Sequence, residues 1–244
     1  MQKFPFLNLK NAAYKPVWDL QEAILAKNLD TKKTNKGKQE AEPTISSLIF
    51  CEHKPVYTLG KSGKIENLLL SEQQLKKQEI DYWHINRGGD ITYHGPGQIT
   101  GYPVFDLEVL KPSASWFIET MENAIMDTLH QLGIKAQRID GLTGVWVKGV
   151  TEAEDRKICA IGVKMSRWVS IHGFALNVNT NLSYFKNIIP CGIDDKGVTS
   201  ISKELGKEIS IAEVAPILAK SFEKHFEIQL IDITLDGLNE ILGN

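Results

Sequence analysis

Cys191 stands in the run KNIIPCGIDDKG, between a proline and a glycine and just ahead of two aspartates. A thiol on such a turn has little apolar surface to pack against and stays near solvent, which suits a nucleophile better than a core filler. Cys51 and Cys159 lie inside apolar strand-like runs, and free cysteines in such runs are among the most buried residues. A cysteine nucleophile acts as its thiolate, so a neighbour must favour that form. His94 and His172 are the imidazole candidates, and Lys157 and Lys164, on either side of ICAIGV, are the cationic ones. Lowering a thiol pKa from about 8.5 to about 7 raises its thiolate share at neutral pH by roughly fifteenfold, worth about 2 kcal/mol before the loss of intrinsic nucleophilicity. Spacing alone leaves the choice among the four bases open.

The second stretch with chemistry in it is RGGDITYHGPGQITG, in which Gly88, Gly89, Gly95, Gly97 and Gly101 alternate with Arg87, Asp90, Tyr93 and His94. Such glycine density lets backbone approach a ligand closely, or turns a tight hairpin. It is not a nucleotide fingerprint: GPGQITG misses G-x-G-x-x-G by one residue, and LGKSGK has Pro55 where a phosphate-binding loop needs its first glycine. Cys51 and His53 share a strand face, but nothing nearby completes a metal-ligand set, and no metal is expected.

The elements that must position these residues read as follows. Val17, Leu20, Ile24 and Leu25 keep helical spacing after Pro16, and the polar run 30–43 reads as a mobile surface loop. TISSLIFCEH and PVYTLG read as strands, Ser71 caps a short helix, and DYWHIN leads as a strand into the glycine stretch, whose second half returns to strand composition. Ile118, Met121, Ile125, Leu129 and Leu132 form a long helix that starts at Ser113 or Ser115 and stops at Gly133. TGVWV, KICAIGV and WVSIHGFALNVN make three successive strands of an antiparallel meander. Ser210 with Glu213 marks a capping box for a last long helix, with Pro216 expected to kink its first turns. Strands in blocks, parted by a few helices, predict an α+β fold with a mixed, largely antiparallel sheet and flanking helices, in a single domain over 1–244.

With 42% hydrophobic and 24% charged residues among 244, the chain has ordinary globular composition. Its formal charge of -2 gives no general attraction for nucleic acid or anionic lipid. No apolar run is long enough to span a membrane, the N-terminal residues lack a signal-peptide pattern, and three cysteines without C-x-x-C spacing argue against a disulfide framework. A cytoplasmic protein is expected.

Taken in order, RGGDITYHGPGQITGYPVFDL, TGVWV, KICAIGV, SIHGFALNVN and NIIPCGI closely resemble the octanoyltransferases of protein lipoylation. The resemblance runs from about residue 45 to about residue 201 and implies the catalytic fold shared with lipoate and biotin protein ligases. It implies transfer of an octanoyl or lipoyl group from acyl carrier protein to a lysine of a lipoyl domain through an acyl-cysteine, without metal or other cofactor. The implied acceptors are the lipoyl domains of 2-oxoacid dehydrogenase complexes and the glycine cleavage H protein. By motif it makes Cys191 the nucleophile and Lys157 the residue that lowers its pKa, with Lys164 as fallback if the acidic segment 148–156 shifts the register. It lines the acyl pocket with Arg87, Gly88, Gly89, Asp90, Ile91, Thr92, Tyr93 and His94, with Ala160, Ile161 and Gly162, and with Gly173, Phe174 and Ala175. The rival within the same fold is an ATP-dependent lipoate or biotin ligase, which would not need Cys191.

Overall fold

In the computed structural model, which describes residues 1–189 and 197–243, the chain opens with β1 (Gln2–Ala12), α1 (Tyr14–Thr34), β2 (Ser47–His53) and β3 (Val56–Leu59). It continues through α2 (Glu72–Lys77), β4 (Asp81–His84), β5 (Ile91–His94), β6 (Gln98–Val104) and α3 (Ala114–Gln131). Next come β7 (Ala136–Ile139), β8 (Leu142–Val147), β9 (Arg156–Ser166) and β10 (Val169–Asn177). The chain ends with β11 (Gly197–Val198), α4 (Ile201–Leu205), α5 (Ile211–Phe226), β12 (Ile228–Asp232) and α6 (Leu235–Leu242).

The main sheet has the order β12-β1-β2-β6-β10-β9-β8-β7, with β11 beside β9. Its two contacts at the β1 end are parallel and the rest of this path is antiparallel, so the predicted α+β class with a mixed, largely antiparallel sheet holds. Both faces are buried. Leu48 and Phe50 of β2 enter the core under α3 and α5, while Ile49 and Cys51 between them face the core under α1 and α6. That two-sided burial is why β2 reads as a nearly unbroken apolar run. A small sheet, β4-β3-β5, lies beside it over a third apolar cluster.

The helix signals act where the sequence places them. Ser113 accepts the N–H of Trp116 at the start of α3, and Ser71 and Ser210 each close a full capping box. α5 runs from Ile211 to Phe226 through Pro216 as one element. The run 30–43 departs from expectation in its first residues only, 35–43 being a mostly exposed surface segment outside helix and strand. α1 continues to Thr34, because Thr31 is buried and Lys32 Nζ reaches Asp106 Oδ1 at 2.6 Å and Glu108 Oε2 at 2.9 Å. Those partners lie far along the chain, so local polarity does not reveal them.

The glycine stretch contains a turn in one half and cavity-lining residues in the other. His94-Gly95-Pro96-Gly97-Gln98 carries the chain from β5 in the small sheet to β6 in the large one. Gly97 has φ +79 and a Cβ there would come within 2.6 Å of the Asn179 backbone, so a side chain is excluded. The first half, Arg87 to Asp90, lies against β9, where the Gly88 N–H donates to the Val163 carbonyl at 3.0 Å.

Candidate active site

Between the 87–94 segment and the β9–β10 part of the sheet lies a cavity of about 120 Å³. Its floor follows from the small residues of two paired strands: Ala160 sits opposite Ala175 and Gly162 opposite Gly173. Large side chains at these positions would fill the space. Arg87, Gly89, Asp90, Ile91, Thr92 and His94 line it from above, with Lys157, Ile161 and Phe174 completing the predicted residues that it brings together. Two predicted lining residues lie elsewhere. Gly88 is spent on its bond to β9, and the Tyr93 ring points into the third cluster, stacked on Tyr184 at 4.6 Å. Strand alternation explains Tyr93, since its neighbours Thr92 and His94 face the cavity.

Sequence reasoning missed Tyr14, Thr100, Tyr102, Trp146, Phe185 and Val198, which also line the cavity. It also dismissed the turn Gly60–Gly63. The N–H groups of Gly60, Lys61 and Ser62 donate to the carbonyls of Asp90, Arg87 and Gly89, so this turn braces the cavity roof. A Cβ at Gly60 would come within 2.3 Å of the Gly89 oxygen, which is the physical demand behind that glycine.

Lys157 reaches the cavity through an irregularity in β9. Cys159 belongs to the core under α3 and α5, and Val163 and Met165 pack against it, whereas Ala160 and Gly162 face the cavity; Ile161 packs against that core and also borders the cavity. Strict alternation would put Lys157 on the core side. Across the ladder Val145 pairs with Cys159 but Trp146 pairs with Lys157, so Ile158 is an extra residue, a β-bulge. Ile158 and Cys159 are both buried in the core, and Lys157 emerges on the cavity side with its Nζ 4.6 Å from the centre of the Trp146 ring. The acidic segment before it forms a short turn of helix at Glu152–Glu154 and leaves KICAIG contiguous in β9. Lys164, the fallback, does not line the cavity; its Nζ lies 3.6 Å from Glu22 Oε1.

The histidines are held differently. Gln98 gives its amide N–H groups to the Tyr93 carbonyl and Asn177 Oδ1, so its Oε1 accepts from His94 Nδ1 at 2.9 Å. His94 Nε2 is therefore the acceptor, and the Thr58 hydroxyl donates to it at 3.3 Å while receiving Arg87 Nη2 at 3.1 Å. By the same logic His53 Nδ1 donates to the Ala12 carbonyl, and His53 Nε2 accepts the Tyr102 hydroxyl at 2.6 Å. Burial, then the neighbouring His53, pushes His94 down to about 3, and burial pushes His53 down to about 4. His172, with φ +60, donates from Nε2 to Asn86 Oδ1, and burial, then Arg87 and Lys164, pushes it down to about 3. These are neutral imidazoles.

The other two described cysteines fit the filler reading. Burial pushes the Cys51 thiol up to about 12 and raises that of Cys159 still further. Cys191 lies outside the described residues. The chain leaves the described region after Ile189, whose N–H donates to the Asn67 carbonyl, and returns at Gly197, where β11 pairs with Arg156 and Lys157.

Comparison to known proteins gives the family of the chain. The family described as lipoyl protein ligase A/B catalytic domain matches residues 13–223, and the chain belongs to that family. Solved structures show the same fold. Lipoate-protein ligase A bound with ATP matches with a TM-score of 0.71 at 20% identity, over 99% of this chain and 92% of that one. A bi-partite lipoate protein ligase from Thermoplasma acidophilum matches at 0.69 and 17%, over 99% and 91%. Within the family the chain stands with the octanoyltransferases. The octanoyltransferase of Cytophaga hutchinsonii is 50% identical over 223 residues, 91% of each chain. That of Christiangramia forsetii is 50% identical over 224 residues, 91% of this chain and 95% of its own.

Proposed function

We propose that this octanoyltransferase, an acyltransferase by class, takes an octanoyl group from the thioester of acyl carrier protein, holds it on Cys191 and passes it to a lysine of a lipoyl domain. Residues 1–244 act in this reading as one catalytic domain. The observation that carries it is Lys157, turned by a bulge into a cavity floored by Ala160, Gly162, Gly173 and Ala175. An acyl chain fits a trough of methyl groups and bare backbone, and β11, which closes the segment holding Cys191, pairs beside that lysine.

In the first half-reaction the Cys191 proton passes to Lys157 Nζ and the thiolate adds to the octanoyl carbonyl. The tetrahedral adduct expels the pantetheine sulfur, which takes the proton back, leaving acyl-Cys191 and a free carrier thiol. In the second, the neutral amine of the lipoyl-domain lysine adds to the acyl-Cys191 carbonyl and the Cys191 sulfur leaves. The proton lost by the amine returns to Cys191 by way of Lys157. Thioester exchange is close to neutral in energy and amide formation is downhill, so no ATP is consumed. His94 is a poor proton acceptor in this scheme, because its one basic nitrogen already receives the Thr58 hydroxyl and the imidazole is held neutral well below pH 7.

Incubation with octanoyl-acyl carrier protein, followed by peptide mass mapping, tests the scheme. The expected result is one octanoyl increment on Cys191, lost when a lipoyl domain is added and recovered on its lysine. Transfer with Cys191 unmodified would overturn the covalent route. Exchange of pyrophosphate into ATP would favour the ligase chemistry of the structural relatives.

A further inference from the structure

Glu122 is a carboxylate in the buried middle of α3, among Phe117, Met121, Ala124, Ile125 and Leu129, with only 4% of its surface exposed. Ionised groups leave water at a cost, and an apolar residue of similar volume at such a place is often neutral or better for stability. Burial pushes this carboxyl up, opposed by its bond to the Gly144 N–H and by the Arg138 charge. Its contacts point across the sheet. Oε1 accepts the backbone N–H of Gly144 in β8 at 2.9 Å, and Oε2 lies 3.7 Å from Arg138 Nε.

Gly144 is the residue that makes room for the bulge. It has φ +117, where side chains are strained, and a Cβ on it would stand 2.6 Å from the Cys159 carbonyl oxygen and 3.5 Å from Lys157 Cε. The register shift that turns Lys157 lies directly after it, between Val145 and Trp146. A glycine at a position closed to side chains, with its N–H fixed from behind by a buried carboxylate and the lysine stem in front, forms one mechanical unit.

We propose that Glu122 is a positioning residue for Lys157: by holding the Gly144 N–H it keeps the β8–β9 bulge in place, and the bulge keeps Lys157 Nζ in the cavity. This rests on the role given to Lys157 above. The hydrogen bond carries the effect, so an amide oxygen in the same place serves nearly as well as the carboxylate.

The test uses the full chain with Glu122→Gln, Glu122→Ala and Gly144→Ala, beside wild type and Lys157→Ala. Thermal melting reports the folded fraction. Octanoyl transfer gives kcat and KM for the acyl carrier protein, and the pH profile of Cys191 alkylation, mapped by mass spectrometry, gives the thiol pKa without any acyl donor. Glu122→Ala and Gly144→Ala are expected to lower kcat of the folded enzyme by about tenfold or more at unchanged KM, and to raise the Cys191 alkylation pKa as Lys157→Ala does. Glu122→Gln is expected to stay within about threefold of wild type in kcat, with an unmoved profile. A folded Glu122→Ala whose profile overlays that of wild type, while Lys157→Ala shifts it, overturns the role of Glu122 alone. So does a Glu122→Gln as impaired as Glu122→Ala. If Glu122→Ala does not fold, an unchanged profile in Gly144→Ala overturns it equally. A wild-type profile that Lys157→Ala leaves in place removes the Lys157 reading, and this one with it.

Discussion

Lys157 and three histidines, of which His94 and His172 line the same cavity and His53 packs beside His94, show two ways for a fold to hold a titratable side chain. His53, His94 and His172 are almost wholly buried, and at His53 and His94 both ring nitrogens are committed to defined partners. Lys157 is half-buried and rests over the Trp146 ring, on a strand that spends an extra residue to aim it. In the first case the fold uses the polar group to fix the neutral form and lock the packing of Tyr14, Tyr102 and Thr58. In the second it bends its own sheet to present the group. The titratable residues in this part of the molecule are not interchangeable: His53 and His94 have both ring nitrogens tied to defined partners, whereas the β9 register aims Lys157 into the cavity.

The largest effect that would break this contrast is loss of the lysine. Lys157→Ala is expected to lower octanoyl transfer by roughly 10²- to 10⁴-fold, the usual range for a proton-transfer group, with little change in melting temperature. Transfer rates measured beside circular dichroism decide it, and a fully active variant would make Lys157 another wall residue. Filling the floor comes next. Ala175→Leu puts a branched side chain where the paired strands carry only small residues, and kcat/KM for the octanoyl donor should drop by about tenfold or more while a two-carbon thioester is affected less. Equal losses for both donors would mean that the acyl chain does not lie along β9 and β10.

The histidine side of the comparison is a matter of stability. His94→Ala removes one of the hydrogen bonds made by Gln98 Oε1 and one of those made by the Thr58 hydroxyl, and opens a void beside Tyr14, which stacks on the imidazole at 5.8 Å. The expected loss is about 3 kcal/mol in chemical denaturation. The folded fraction should retain far more transfer activity than Lys157→Ala. The reverse pattern, a stable but inactive variant, would move His94 into the chemistry.

How much of this is legible in the sequence depends on whether the cause is local. Ser113, Ser71 and Ser210 cap helices through bonds to residues three positions on, and the β8–β9–β10 meander follows from apolar runs in sequence. Cys51 and Cys159 announce their burial in the same way. β1 is harder. Pro5 and the polar Asn8 and Lys10 weaken its pattern, yet it is a central strand, pairing with β12 from Gln2 and with β2 from Phe6 onward. The bulge at Ile158 is invisible from β9 alone, since only the register against Val145 and Trp146 defines it. Glu122 looks like any helical glutamate until Gly144, 22 residues on, is placed against it. The motif resemblance names Lys157, but only long-range pairing supplies the reason it faces the cavity.

The smallest effect follows from acid, and it sharpens the account of the imidazoles. In the unfolded chain each histidine takes a proton near pH 6.5, whereas in the folded protein His53 stays neutral to about 4 and His94 and His172 to about 3. Above pH 6.5 both states are neutral and the full stability is present. As pH falls below 6.5 the unfolded chain binds protons that the native protein refuses, so stability declines until the folded pKa values are reached. Between pH 7 and pH 6 this amounts to roughly 0.7 kcal/mol per histidine, or about 2 kcal/mol for the three together. Paired carboxylates such as Glu204, whose pKa is lowered chiefly by its bond to Arg156, begin to contribute only at lower pH. Urea midpoints measured from pH 7.5 to 5.5 should therefore fall steadily, and the slope should lessen by about a third in His53→Gln. A flat profile would mean that the native protein accepts charge on these rings, and the division between closed histidines and an aimed lysine would lose its electrostatic half.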